Sequence, residues 1–103
     1  MAQGEAPVLE TLAEMNAASL ARVELDPAVL LLVRISALVA ADAPVASYLM
    51  HVGAALDNGV TLADVQDVLV AVAPIVGTAK VITAAGNIAE ALGVAIAVAE
   101  ELA

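Results

Sequence analysis

Asp57-Asn58-Gly59-Val60-Thr61-Leu62-Ala63-Asp64 holds a helix stop and a helix start in one short run. Asn58-Gly59 supplies residues that tolerate the left-handed conformation in which helices commonly end. Thr61, followed three residues later by Asp64, is a capping box with Asp in place of Glu or Gln. Upstream, Val45, Leu49, Val52 and Leu56 recur at three- and four-residue spacing and predict a core stripe on a helix over Pro44–Asp57. Downstream, Val65, Val68, Leu69 and Val72 predict the buried face of a second helix, until Pro74 and Gly77 interrupt it. No period-two alternation competes with this reading, so the β-branched residues are expected in helices.

The same logic extends in both directions. Asp26-Pro27 marks a helix start, because proline at the first helical position forfeits no hydrogen bond. From there Leu30, Leu31, Leu32, Val33, Ile35, Leu38 and Val39 put apolar side chains around most of the circumference, which predicts a central helix packed on several sides. Before it, Pro7–Val23 shows helical spacing at Val8, Leu9, Leu12, Met15, Leu20 and Val23. After Gly77, Thr78–Leu92 is expected to bury Val81, Ile82, Ala85, Ile88, Ala89 and Leu92, with Gly93 ending or kinking it before a last stretch, Val94–Leu102. The chain therefore reads as a single all-α domain over residues 1–103, a bundle of five to six helices.

Composition bounds what such a domain does. Of 103 residues, 63% are hydrophobic, yet Tyr48 is the only aromatic. A core of Leu, Ile, Val and Ala buries little per side chain, so a chain this short carries more apolar surface than it hides alone. Burial between copies in a homo-oligomer is the expected outlet. Neither Pro27–Ala41, interrupted by Arg34, nor Val68–Ala79, with Pro74 and Gly77, reaches the roughly 18–20 apolar residues that span a bilayer. Met1–Glu10 has two acids and no base, unlike a signal peptide, so a cytoplasmic protein is expected. Three basic residues against twelve acidic ones give a net charge of −9, which argues against nucleic acid and anionic membrane surfaces as partners. Without cysteine there are no disulfides and no thiolate chemistry. One histidine among scattered carboxylates offers no metal-ligand spacing, and no cofactor is implied.

Few polar residues remain for chemistry. His51 is suited to proton transfer near neutral pH, and Ser47 lies four residues before it on the same helix face, with Tyr48 adjacent. A Ser47–His51 nucleophile–base pair lacks an orienting acid and a strained turn. Lys80, Thr83, Asn87 and Glu90 form a polar stripe on the last long helix. It reads either as a solvated face or as Thr83 and Asn87 facing a cleft that contains His51. Arg34, inside an apolar helix, needs a carboxylate, backbone carbonyls or solvent, and a structural ion pair, within the chain or across a subunit interface, is the expected solution. Asp64 and Asp67 read as a solvated face with a capping role.

Tyr48-Leu49-Met50-His51-Val52-Gly53-Ala54-Ala55-Leu56-Asp57-Asn58-Gly59-Val60-Thr61 resembles the motif region of the carboxymuconolactone decarboxylase family, which includes the alkylhydroperoxidase D-like proteins. Asp64-Val65, Asp67-Val68-Leu69, Ala73-Pro74-Ile75-Val76-Gly77 and Ile88-Ala89-Glu90 extend the likeness over about Leu30 to Leu92. The resemblance implies an all-helical fold assembled into trimers or hexamers, with sites beside subunit contacts. It also implies what is missing. The hydroperoxidase branch carries a Cys-x-x-Cys pair where this chain has Pro44 and Ser47, and a glutamate where it has Leu32; His51 alone matches. The decarboxylase branch tends to carry a glutamate at the place of Ser47 and a second histidine near Asn87. The reading is a homo-oligomer with a divergent site that binds a small organic molecule near His51, with Ser47, Tyr48 and Asn87 as hydrogen-bonding partners. Its rivals are an active decarboxylase or isomerase using His51 as acid–base, and a purely structural assembly protein.

Overall fold

A computed structural model describes the backbone of residues 2–102 and the side chains of residues 5–94 and 97. Five helices follow one another: α1 (Ala2–Arg22), α2 (Pro27–Ala40), α3 (Val45–Asp57), α4 (Leu62–Val76) and α5 (Thr78–Leu102). The fold is all-α, as the spacing predicts. Two boundaries differ. α1 begins before Pro7, which removes one backbone hydrogen bond without ending the helix. α5 runs unbroken through Gly93, so the last two expected stretches are one helix and the count is five.

The stop and start signals at 57–64 form as read. Gly59 takes φ +87°, the Val60 N–H bonds the Ala55 carbonyl at 3.0 Å, and the Gly59 N–H bonds that of Leu56 at 3.3 Å. This is the paired closure of a helix end by a left-handed residue. The Asp64 N–H then donates to Thr61 Oγ1 at 3.0 Å, and the Thr61 N–H to Asp64 Oδ2 at 2.9 Å, completing the capping box. α2 ends by the same closure, with Asp42 at φ 55° in the position glycine usually fills. Pro74 lies in the last turn of α4 and is tolerated there, while Gly77, at φ +90° and ψ 159°, stops the helix.

The core is drawn from α2 to α5. Ile35 and Val39, Tyr48, Val52 and Ala55, Val65 and Val68, and Ala84, Ile88 and Ala91 interlock around the connecting residues Ala43 and Val60. On α3 the buried stripe is rotated from the expected one: Tyr48, Val52 and Ala55 face inward, while Leu49 and Leu56 are exposed. Both stripes share Val52, so spacing alone does not choose between them. The one Phe, Tyr or Trp side chain in the sequence occupies the interior because its large apolar area outweighs what Leu49 would bury. α5 is rotated likewise, turning Ala84, Ile88 and Ala91 inward and leaving Ile82, Ala85 and Ala89 outside. α2 packs against α3, α4 and α5, but Val29 and Val33 stay exposed. α1 packs closely on none of the others, and every side chain from Glu5 to Arg22 is exposed. None of the described helices is long and apolar enough to cross a membrane.

Candidate functional site

The standing-off of α1 creates the site. Between α1, α2 and α3 lies an open cavity of about 690 Å³, within the range of small-molecule sites. Leucines of α1 and α2 and Met50 of α3 supply most of its wall. Four polar side chains interrupt that wall: Asn16 from α1, Arg34 from α2, His51 from α3 and Asn58 at the α3 C-terminus. Apolar walls with a few converging polar groups are the usual composition of a ligand pocket.

Helical geometry fixes His51. Its Nδ1 lies 2.8 Å from the Ser47 carbonyl oxygen one turn earlier, and because a carbonyl only accepts, Nδ1 carries the hydrogen. In the neutral ring Nε2 is then the acceptor, and it has no hydrogen-bond partner among the described residues. This contact runs through the Ser47 backbone, not its hydroxyl, so the two residues do not form a nucleophile–base pair. Arg34 is held differently from the ion pair expected of it. Nη1 donates to Asn16 Oδ1 at 2.5 Å and Nη2 to Ser19 Oγ at 2.9 Å, tying α2 to α1 through neutral groups. Asn16 and Ser19, three residues apart, share the face of α1 that meets Arg34. Asn58 Nδ2 donates to the Ala54 carbonyl at 2.7 Å.

Ser47, Tyr48 and Asn87 do not line this cavity. Ser47 is half-buried beside it in sequence only. Tyr48 is 0% exposed, at the centre of the core, and its hydroxyl has no hydrogen-bond partner among the described residues. Burial, and secondarily the negative charge of Asp42, raises the Tyr48 pKa above 10.0. Asn87 Nδ2 donates to the Ala43 carbonyl at 3.2 Å, and Lys80 Nζ to the Ala40 carbonyl at 2.9 Å. The polar stripe of α5 thus closes the α2–α3 connection, where Lys80 also meets the negative end of the α2 dipole. Thr83 and Glu90 are exposed. Sequence reasoning missed Asn16, Asn58 and the Arg34–His51 convergence. The polar pair Asn16 and Ser19, three residues apart on one face of α1, was the available signal, but it does not say which helix lies opposite.

Among the described residues no three His, Asp or Glu side chains converge as metal ligands. With no cysteine in the chain, there is no thiol peroxidase site. No curated protein and no solved structure matches the chain significantly. The model of the carboxymuconolactone decarboxylase family does match, over residues 6–91, which takes in all of α2, α3 and α4 and most of α1 and α5. The five-helix all-α bundle is consistent with the alkylhydroperoxidase D-like fold. The motif around His51 and the match over most of its length agree: the chain belongs to the carboxymuconolactone decarboxylase family.

Proposed function

We propose that the protein is a homo-oligomer, a trimer or hexamer, that takes up a small organic molecule in the α1–α2–α3 cavity against His51. The observation that carries the ligand half is the meeting of His51 with Arg34, Asn16 and Asn58 in one apolar cavity of ligand size. The oligomer half is supported by what the single chain leaves outside. Val70, Ile75 and Ile82 are 72%, 85% and 67% exposed on α4 and α5, and α1 shows its leucines to solvent along its length. Patches of this kind on a small chain favour association. Sedimentation should find no stable monomer at low micromolar concentration. Ile82→Glu should shift it toward smaller species without loss of helicity, and a monomeric parent at that concentration refutes the assembly reading. For the ligand, a mixed screen of neutral and charged fragments read at the Met50 methyl and the His51 ring should find binders that His51→Ala weakens. No binder at either probe refutes the pocket and leaves the purely structural reading.

A second reading, an active isomerase or decarboxylase, is favoured by the His51 tautomer. With Nδ1–H held by the Ser47 carbonyl, Nε2 of the neutral ring is a base placed to remove a proton beside the carbonyl of an unsaturated substrate and return it to the far carbon of the conjugated dienolate, shifting the double bond. Lactone and β-keto acid substrates should then turn over, with loss in His51→Ala of at least about a hundredfold. Binding without turnover leaves the first reading standing alone.

A further inference from the structure

Arg34 and the make-up of the cavity around it define the ligand more closely. The chain carries twelve Asp and Glu residues against three Lys and Arg. Yet, among the described residues, no carboxylate lines this cavity, and one of the three cations does. Arg34 is half-buried, and its partners Asn16 and Ser19 are neutral, so they satisfy two of its five N–H groups and offset none of its charge. A half-buried guanidinium beside leucine side chains, with three N–H groups left over, offers an anion in the cavity charge-assisted hydrogen bonds that no carboxylate of the described cavity wall competes for. Asn16 and Asn58 are uncharged amides and, among the described residues, Arg34 is the one permanently charged group lining the cavity, so a single carboxylate matches it.

We propose that the cavity binds a monocarboxylate with an extended apolar body, its carboxylate on the free N–H groups of Arg34 and its apolar body along Leu12, Leu31 and Met50. The planar donor fork of arginine suits a carboxylate, and a charged hydrogen bond is roughly twice as strong as a neutral one. The inference rests on the pocket reading above and adds the charge and shape of what enters. Arg34 is a binding residue in it and has no catalytic role. Because Arg34 also bridges to α1, the bound carboxylate draws on the same fork that ties α1 to α2.

The test uses the full-length protein and three probes: octanoate, octanamide and glutarate, titrated calorimetrically and followed at the Met50 methyl. Octanoate should bind at least about tenfold more tightly than octanamide, which keeps the apolar body without the charge. Glutarate, with two charges and little apolar area, should bind more weakly than octanoate. Arg34→Gln should abolish the octanoate preference and Arg34→Lys should retain part of it. If Arg34→Gln loosens α1, the comparison of the three probes on the unaltered protein still decides. Equal binding of octanoate and octanamide overturns the carboxylate anchor while leaving the pocket intact. Glutarate binding as tightly as octanoate overturns the apolar-body requirement. Failure of octanoate to bind while neutral fragments do also overturns the proposal. Failure of every probe and fragment removes the pocket itself.

Discussion

Replacing Tyr48 with phenylalanine should stabilise the protein. The Tyr48 hydroxyl is fully enclosed and has no hydrogen-bond partner among the described residues, so folding strips it of water bonds and returns none from them. Leaving a buried polar group unpaired costs about 1–3 kcal/mol. Removing the oxygen recovers that and leaves a void smaller than a methyl group, so a net gain of about 1 kcal/mol is expected. For a domain of this size that raises the midpoint of thermal unfolding by roughly 4–8 °C. The same hydroxyl makes the parent sensitive to alkali. Burial first, and Asp42 second, raise its folded pKa above 10.0. The unfolded chain therefore ionises earlier than the folded one. Stability is intact below pH 10.0 and falls as pH rises toward the folded pKa, by up to about 1.36 kcal/mol per pH unit. Thermal melts by circular dichroism, from neutral pH to about pH 11 and at fixed protein concentration, measure both effects. With a single tyrosine in the chain, tyrosinate absorbance reports this group alone. Tyr48→Phe should melt higher and lose the contribution of this group to the alkaline decline. Asp42→Asn should bring the titration down only part of the way, since burial is the larger cause. A Phe variant destabilised by more than about 1 kcal/mol refutes the reasoning, because the hydroxyl must then have a partner such as a buried water.

Other perturbations separate local from tertiary effects. Thr61→Ala removes one half of the capping box and should cost about 1 kcal/mol by urea unfolding, with the m-value unchanged. Gly77→Ala meets open space at its new Cβ, yet φ +90° with ψ 159° is a conformation nearly confined to glycine. It should lose about 1–3 kcal/mol through backbone strain alone, and an unchanged melting point shows that the α4–α5 turn relaxes freely. Asn87→Ala leaves the Ala43 carbonyl without its side-chain donor and should cost about 1 kcal/mol. If that variant instead abolishes ligand binding at unchanged stability, Asn87 belongs to a site and not to the α2–α3 closure.

Much of the fold was legible in the chain because helix ends are local chemistry. Asn58-Gly59 and Thr61 with Asp64 act within one turn, on backbone groups a few residues away, and Pro27 starts α2 through its own fixed φ although Asp26 makes no side-chain capping bond, so residue order alone specifies these ends. The family likeness was legible for a related reason, since the run from Tyr48 to Thr61 joins a helix face to such an end. The absence of cysteine likewise settled, before any coordinates, that no thiol peroxidase site exists. The choice of buried stripe was not legible. Val52 belongs equally to the set with Leu49 and Leu56 and to the set with Tyr48 and Ala55, and only packing against α2, α4 and α5 turned the tyrosine inward. Gly93 shows the same limit: its cost in a helix is small, and the long run of α5 absorbs it. The cavity was least visible of all. Arg34 and His51 are read separately in sequence, and they line one cavity only because α1 stands off and α2 packs against α3. Sequence determined the helices and their ends, because those are set by neighbours along the chain. Tertiary structure alone decided which faces are buried and which polar groups meet, because those depend on residues far apart in order.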